Sequence, residues 1–118
     1  MTMQVEYLDE GSALSLMACV STGRVIYTIA AMPAVWPLPF RLDPEAGVVL
    51  RTDARSGLAE SVDGTLVAFE ADELTGPDGA GWCVTLLGRA VVALADGHAE
   101  IHILPEVVHG RRLGPNGS

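Results

Sequence analysis

The spacing of apolar residues changes once along the chain. Over residues 8–20 they fall at Leu8, Ala13, Leu14, Leu16, Met17 and Val20, nearer to a helical stripe than to alternation. Asp9 stands where an N-cap belongs, and Gly23 follows where a C′ glycine would end the helix. Residues 24–29 are β-branched and aromatic and read as a strand, which Met32-Pro33 breaks. Residues 34–42 and 48–52 read as two more strands, joined across the turn Asp43-Pro44-Glu45-Ala46-Gly47 into a hairpin. Residues 53–62 read as a short helix, 65–70 as the fourth strand and 76–79 as a loop. A long fifth strand covers 81–94 with Gly88 as a bulge or bend, and a sixth covers 99–104, ended by Pro105.

The pattern predicts an all-β domain with two minor helices: six antiparallel strands in a closed or nearly closed barrel. Closure also removes the exposed edges of such apolar strands. The 118 residues suit one domain over 1–113, with 114–118 as a frayed tail. Hydrophobic residues reach 49% and charged residues only 19%, which points to apolar surface hidden between subunits and so to a homodimer.

The formal net charge of −8 argues against a nucleic-acid partner, because that affinity begins with basic side chains neutralising phosphates. Cys19 and Cys83 match no metal spacing and read as small buried hydrophobes of a reducing compartment. The sequence shows no signal peptide and no apolar run long enough for a bilayer, so the cytoplasm is the expected location.

Three segments carry possible chemistry. In Val35-Trp36-Pro37-Leu38-Pro39-Phe40, Pro37 and Pro39 remove two N–H donors from one strand edge. Such an edge is either a protected sheet margin or a row of bare carbonyls for a planar ligand with its own N–H. In Arg51-Thr52-Asp53-Ala54-Arg55-Ser56-Gly57-Leu58, two arginines and two hydroxyls lie where a helix begins, which suits a phosphate, although a surface charge and a helix-start serine explain the same letters. Trp82 opens the long strand as core, interface or ligand shelf. His98, His102 and His109 show no metal-binding spacing, and no Ser-His-Asp order, Walker loop or dinucleotide glycine motif is present.

The ordered set Arg24-Val25-Ile26-Tyr27-Thr28, Pro37-Leu38-Pro39-Phe40, Val49-Leu50-Arg51-Thr52 with Ser56 and Leu58, Val67-Ala68-Phe69-Glu70-Ala71-Asp72, Gly81-Trp82-Cys83-Val84 with Gly88-Arg89-Ala90, and Gly110-Arg111-Arg112-Leu113 resembles the pyridoxamine 5′-phosphate oxidase-like family of FMN-binding split barrels, in its small actinobacterial form. The resemblance covers nearly the whole chain. It implies a six-stranded split barrel that dimerises around a flavin, FMN or, in some relatives, the deazaflavin F420. By position it implies that Arg24, Val25, Ile26 and Tyr27 line the ring system and that Pro37 and Leu38 face its polar rim. It further implies that Arg51, Thr52 and Ser56 hold the phosphate, and that Trp82 and Cys83 lie close to the cofactor, from the same subunit or from the partner. This chain departs from the family at Gly57, where lysine is usual and where Arg55 is the available substitute. It also departs at Pro39, commonly Asn, at Cys83, commonly Ser, and at Ala95-Asp96-Gly97, where relatives carry a longer segment.

Three functions follow. The first is a flavin-dependent oxidoreductase, in which hydride transfer belongs to the cofactor and no acid–base constellation is needed. The second is a module that binds flavin or nucleotide without turnover. The third is a cofactor-free structural dimer.

Overall fold

The computed structural model describes residues 3–115. Strand β1 (Met3–Leu8) precedes helix α1 (Glu10–Met17). Asp9 caps α1 as expected: its carboxylate accepts from the Ser12 N–H at 2.8 Å and from the Ser12 hydroxyl at 3.1 Å, and these bonds hold its pKa below the usual carboxylate value. The helix ends at Ala18 rather than at Gly23. Gly23 belongs to β2 (Thr22–Ile29), where a Cβ would lie 2.4 Å from the Phe69 ring and 2.7 Å from the Glu70 carbonyl oxygen. Close packing requires that glycine, not a helix cap.

A two-residue turn, Ala30-Ala31, reverses the chain into β3 (Met32–Asp43), with φ of 51° and 64° and Ile29 opposite Met32. Met32 and Pro33 thus open β3 instead of breaking the sheet. The 43–47 turn leads into β4 (Gly47–Asp53), which forms the expected hairpin with β3. Asp43 holds the turn by accepting from the Glu45 and Ala46 N–H groups, bonds that lower its pKa. Helix α2 (Leu58–Val62), β5 (Leu66–Glu73), a 3₁₀ turn (Pro77–Gly79), β6 (Gly81–Ala95) and β7 (His98–Pro115) complete the described chain.

All pairings are antiparallel. The ring runs β7-β4-β3-β2-β5-β6 and returns to β7, with β1 added beside the second half of β7. The barrel therefore has its six strands, and β1 is a seventh that the sequence pattern missed. β7 also continues through Pro105. The register against β6 slips there, from Leu87 opposite Val107 to Gly88 opposite Pro105, leaving Glu106 as the extra residue of a bulge. A proline N is tolerated at such a point because the ladder is already interrupted. Gly114 and Pro115 pair with Gln4 and Met3, whereas residues 116–118 of the expected tail lie outside the described residues.

Inward-facing side chains of the ring, among them Val25, Leu50, Phe69, Val84 and Ile101, form one buried cluster with Met17 of α1 and Leu58 of α2. No helix of the described residues is long and apolar enough to cross a membrane.

Candidate functional site at the split between β3 and β4

The barrel is open along one seam. β3 pairs with β4 only from Phe40 to Asp43, whereas it pairs with β2 from Met32 to Pro39. The Phe40 N–H donates to the Ser21 carbonyl at 3.0 Å, which turns the backbone of even-numbered β3 residues toward β2. Odd-numbered residues then face the seam, because backbone groups alternate edges along a strand. Pro37 and Pro39 consequently present carbonyls and no N–H to the open edge. On the far side of the seam, Arg51, Thr52 and Asp53 of β4 pair with β7 alone.

A cleft of about 310 Å³ lies on this seam, lined by Pro39, Phe40, Arg41, Val49, Arg51 and Glu100. It joins the donor-poor edge to Arg51, whose side chain is 69% exposed and whose Nη2 is 3.9 Å from Glu100 Oε2. His102 Nε2 lies 2.8 Å from Glu100 Oε1, and this contact holds the Glu100 carboxyl below its usual pKa. Thr52 Oγ1 donates to Ser56 Oγ at 3.2 Å, and Ser56 Oγ accepts from the Leu58 N–H at the start of α2. Arg55 does not join them: it is 92% exposed and pairs with Asp53 at 3.7 Å. Gly57 adopts φ +86°, a left-handed conformation that favours glycine over the family's lysine.

The remaining sequence-derived candidates divide by strand alternation. Val25, Tyr27, Leu38 and Trp82 point into the core, so as side chains they do not line an outer site. Four consecutive residues such as 24–27 cannot share one face of a strand. Arg24, Ile26 and Pro37 face outward, as does Cys83. Arg24 and Cys83 meet through Glu70: Arg24 pairs with Glu70 and, at 3.4 Å, with Asp72, and Cys83 Sγ lies 3.5 Å from Glu70 Oε2. Burial, followed by Glu70, raises the Cys83 pKa.

Burial first, and then neighbouring Asp72, push the Glu70 carboxyl from 4.5 to about 6 against the pull of Arg24. Glu70 thus holds its proton more tightly when folded. Its favourable contribution is complete below about pH 4.5 and is lost as pH rises through about 6. Glu70→Gln should therefore gain stability relative to the parent between pH 4.5 and 7 in urea unfolding; a constant difference would contradict this assignment.

Arg41, Glu100 and His102 were not selected as site residues from the sequence. Glu100 and His102 share a face through their i, i+2 spacing, but only the β4–β7 register, with Arg51 opposite Glu100, brings them to the cleft. Glu100 competes with any incoming anion for Arg51. Glu100→Gln is expected to bind an anionic ligand a few-fold more tightly, measured by fluorescence titration; weaker binding would assign Glu100 an accepting role instead.

The chain is thus an antiparallel barrel split along one seam, with cationic and hydroxyl side chains on one lip and bare carbonyls on the other. The chain belongs to the pyridoxamine 5′-phosphate oxidase family, whose model matches residues 9–112. It is 34% identical over 98 residues to the uncharacterized protein Rv0080 of Mycobacterium tuberculosis, a match covering 74% of this chain and 60% of that protein's length. Its fold is similar to the FAD-binding protein from Mycobacterium smegmatis, with a TM-score of 0.79 and 25% identity over 92% of this chain and 98% of that one. A FAD-binding protein from Mesorhizobium loti shares the fold alone, at TM-score 0.81 and 17% identity over 97% of this chain and all of that one.

Proposed function

We propose that this chain is a flavin-dependent oxidoreductase of the cytoplasm that works as a homodimer and holds FMN, or F420 in its place, along the β3–β4 seam. The observation that carries this reading is the cleft joining Arg51 to the Pro39 edge. The donor set fits such a cofactor. Arg51 would hold the phosphate, with Thr52 and Ser56 as hydroxyl donors beside it and Arg41 on the opposite lip. The carbonyls of Pro37 and Pro39 would accept from the N–H of the ring's polar rim. Ile26 and Arg24 lie on the outer sheet face beyond that edge. When bound, the cofactor supplies hydride transfer with a small substrate, while these residues bind and orient it.

Self-association is supported by the outer sheet face. Val35, Ile26, Ala68, Leu87 and Val107 follow one another across five paired strands, and Val35 is 58% exposed. An apolar row of that extent favours contact with a partner.

The reading is tested by loading the purified chain with FMN, adding a nicotinamide donor or reduced F420, and following flavin absorbance. Bleaching followed by recovery with an electron acceptor is expected. A bound flavin that never bleaches under any of these donors would support the module without turnover, and failure to take up flavin would support the cofactor-free dimer, the two readings that Gly57 favours by withdrawing one charge from the phosphate end.

A further inference from the structure

Glu100 and His102 stand two residues apart on β7, so their side chains share the outer face of that strand. Across the β4–β7 ladder, Arg51 is opposite Glu100 and Val49 is opposite His102. Val49 is in turn opposite Arg41 of β3. Register thus gathers an imidazole, a carboxylate and two guanidinium groups at one end of the seam cleft. The Glu100 carboxylate is divided between two of them. Its Oε1 is 2.8 Å from His102 Nε2, and its Oε2 is 3.9 Å from Arg51 Nη2.

These two neighbours differ in kind. A guanidinium is permanently charged, whereas imidazole ordinarily gains or loses its charge between about pH 5 and 8. Glu100 stays ionised across that range, because its carboxyl is held below the usual value. The other charged groups around the ring are also constant there. On the β3–β4 side they are Arg51 and Arg41, the latter paired with Asp43, whose carboxyl is likewise held low. On the β6 side His102 stands opposite Val91, and Arg89, one step along the same face, donates to the Gly64 carbonyl at 2.7 Å. The charge state of the ring therefore decides how Glu100 divides itself. Beside a neutral ring, the carboxylate finds its full positive charges across the seam, at Arg51 and Arg41. Beside a protonated ring, it is neutralised on its own strand.

We propose that His102 is a positioning residue of the seam: its protonated ring holds Glu100 away from Arg51 and so opens the guanidinium fork to an incoming phosphate. The seam then grips an anion more strongly as pH falls through the imidazole range, and releases it as pH rises. The effect is a few-fold one, because the Arg51 side chain is largely exposed and its pairing is screened by water. The inference rests on the reading of the seam as the phosphate end of a flavin site, and it adds the control of that end by protons.

The test is FMN affinity by fluorescence quenching at about pH 5.5 and about pH 8, in the parent, His102→Gln, His102→Lys and Glu100→Gln. The FMN phosphate takes up a proton near pH ~6, so the quantity read is the ratio of each variant to the parent at one pH. His102→Gln keeps a hydrogen-bond donor but cannot become charged. It is expected to match the parent at the higher pH and to bind at least about threefold more weakly at the lower one. His102→Lys, charged throughout, should bind at least about threefold more tightly than the parent at the higher pH. In Glu100→Gln the pH response should fall to that of His102→Gln. Circular dichroism establishes that each variant is folded; should His102→Gln not fold, the parent and His102→Lys carry the comparison. A constant ratio of parent to His102→Gln overturns the inference and leaves the seam reading standing. A full pH response in Glu100→Gln also overturns it, by placing His102 directly on the ligand. Absence of saturable FMN binding by the parent at both pH values removes the seam reading and this inference together.

Discussion

Replacing Arg51 by alanine is expected to weaken FMN binding by about 10- to 150-fold, the equivalent of roughly 1.5–3 kcal/mol for hydrogen bonds to a charged group. The size of the effect follows from how little other positive charge reaches the cleft. Gly57 brings none, Arg55 points to solvent against Asp53, and Arg41 is shared with Asp43 at 3.5 Å. Glu100 makes the parent site worse rather than better, because it stands beside Arg51 with a carboxylate that His102 keeps ionised. Added salt should weaken binding to the parent more than to the variant, since the contact is exposed and screened. Fluorescence quenching titrations at two ionic strengths measure both effects. Equal affinities of parent and variant would remove Arg51 from the phosphate end.

Phe69→Ala should destabilise the fold by about 3–5 kcal/mol, a large share of the ~5–15 kcal/mol that holds a domain together. Phe69 is fully buried in β5, and its ring meets Phe40 edge-on, with centroids 4.9 Å apart and planes at 64°. Gly23 leaves no side chain on the adjacent strand to fill the space that alanine would open. The same ring supports the seam indirectly, because Phe40 is both its partner and part of the cleft wall. The variant is therefore expected to lose ligand affinity along with stability. Urea unfolding monitored by tryptophan fluorescence checks the first effect; a loss below about 1 kcal/mol would mean that the core repacks around the gap.

Local chemistry made most of the barrel legible. Alternation and β-branching located the ring strands, Asp9 announced α1, and Gly88 marked the irregularity opposite Pro105. The misread places share a cause, which is that their reason lies elsewhere in the chain. Ala30-Ala31 turns sharply, yet alanine has no turn preference, so the sequence pattern places the end of the strand at Met32-Pro33. β1 becomes a strand by pairing with a stretch of β7 more than a hundred residues away. Pro105 reads as a terminator until the bulge is seen. At the site, Arg51, Thr52, Ser56 and the paired prolines were legible because they are close in sequence and chemically unusual. Glu100 and Arg41 were not, since the register alone brings them there. The resemblance sets Val25, Tyr27, Leu38 and Trp82 beside the cofactor, and the alternation of their strands turns their side chains into the core.

Whether the seam grips a flavin by its phosphate is decided most directly by titrating the purified chain with FMN and, separately, with riboflavin, which has the same ring and no phosphate. Saturable quenching by FMN, with riboflavin at least about tenfold weaker, is the predicted result. Riboflavin binding as tightly as FMN, or no saturable quenching by either, would contradict it.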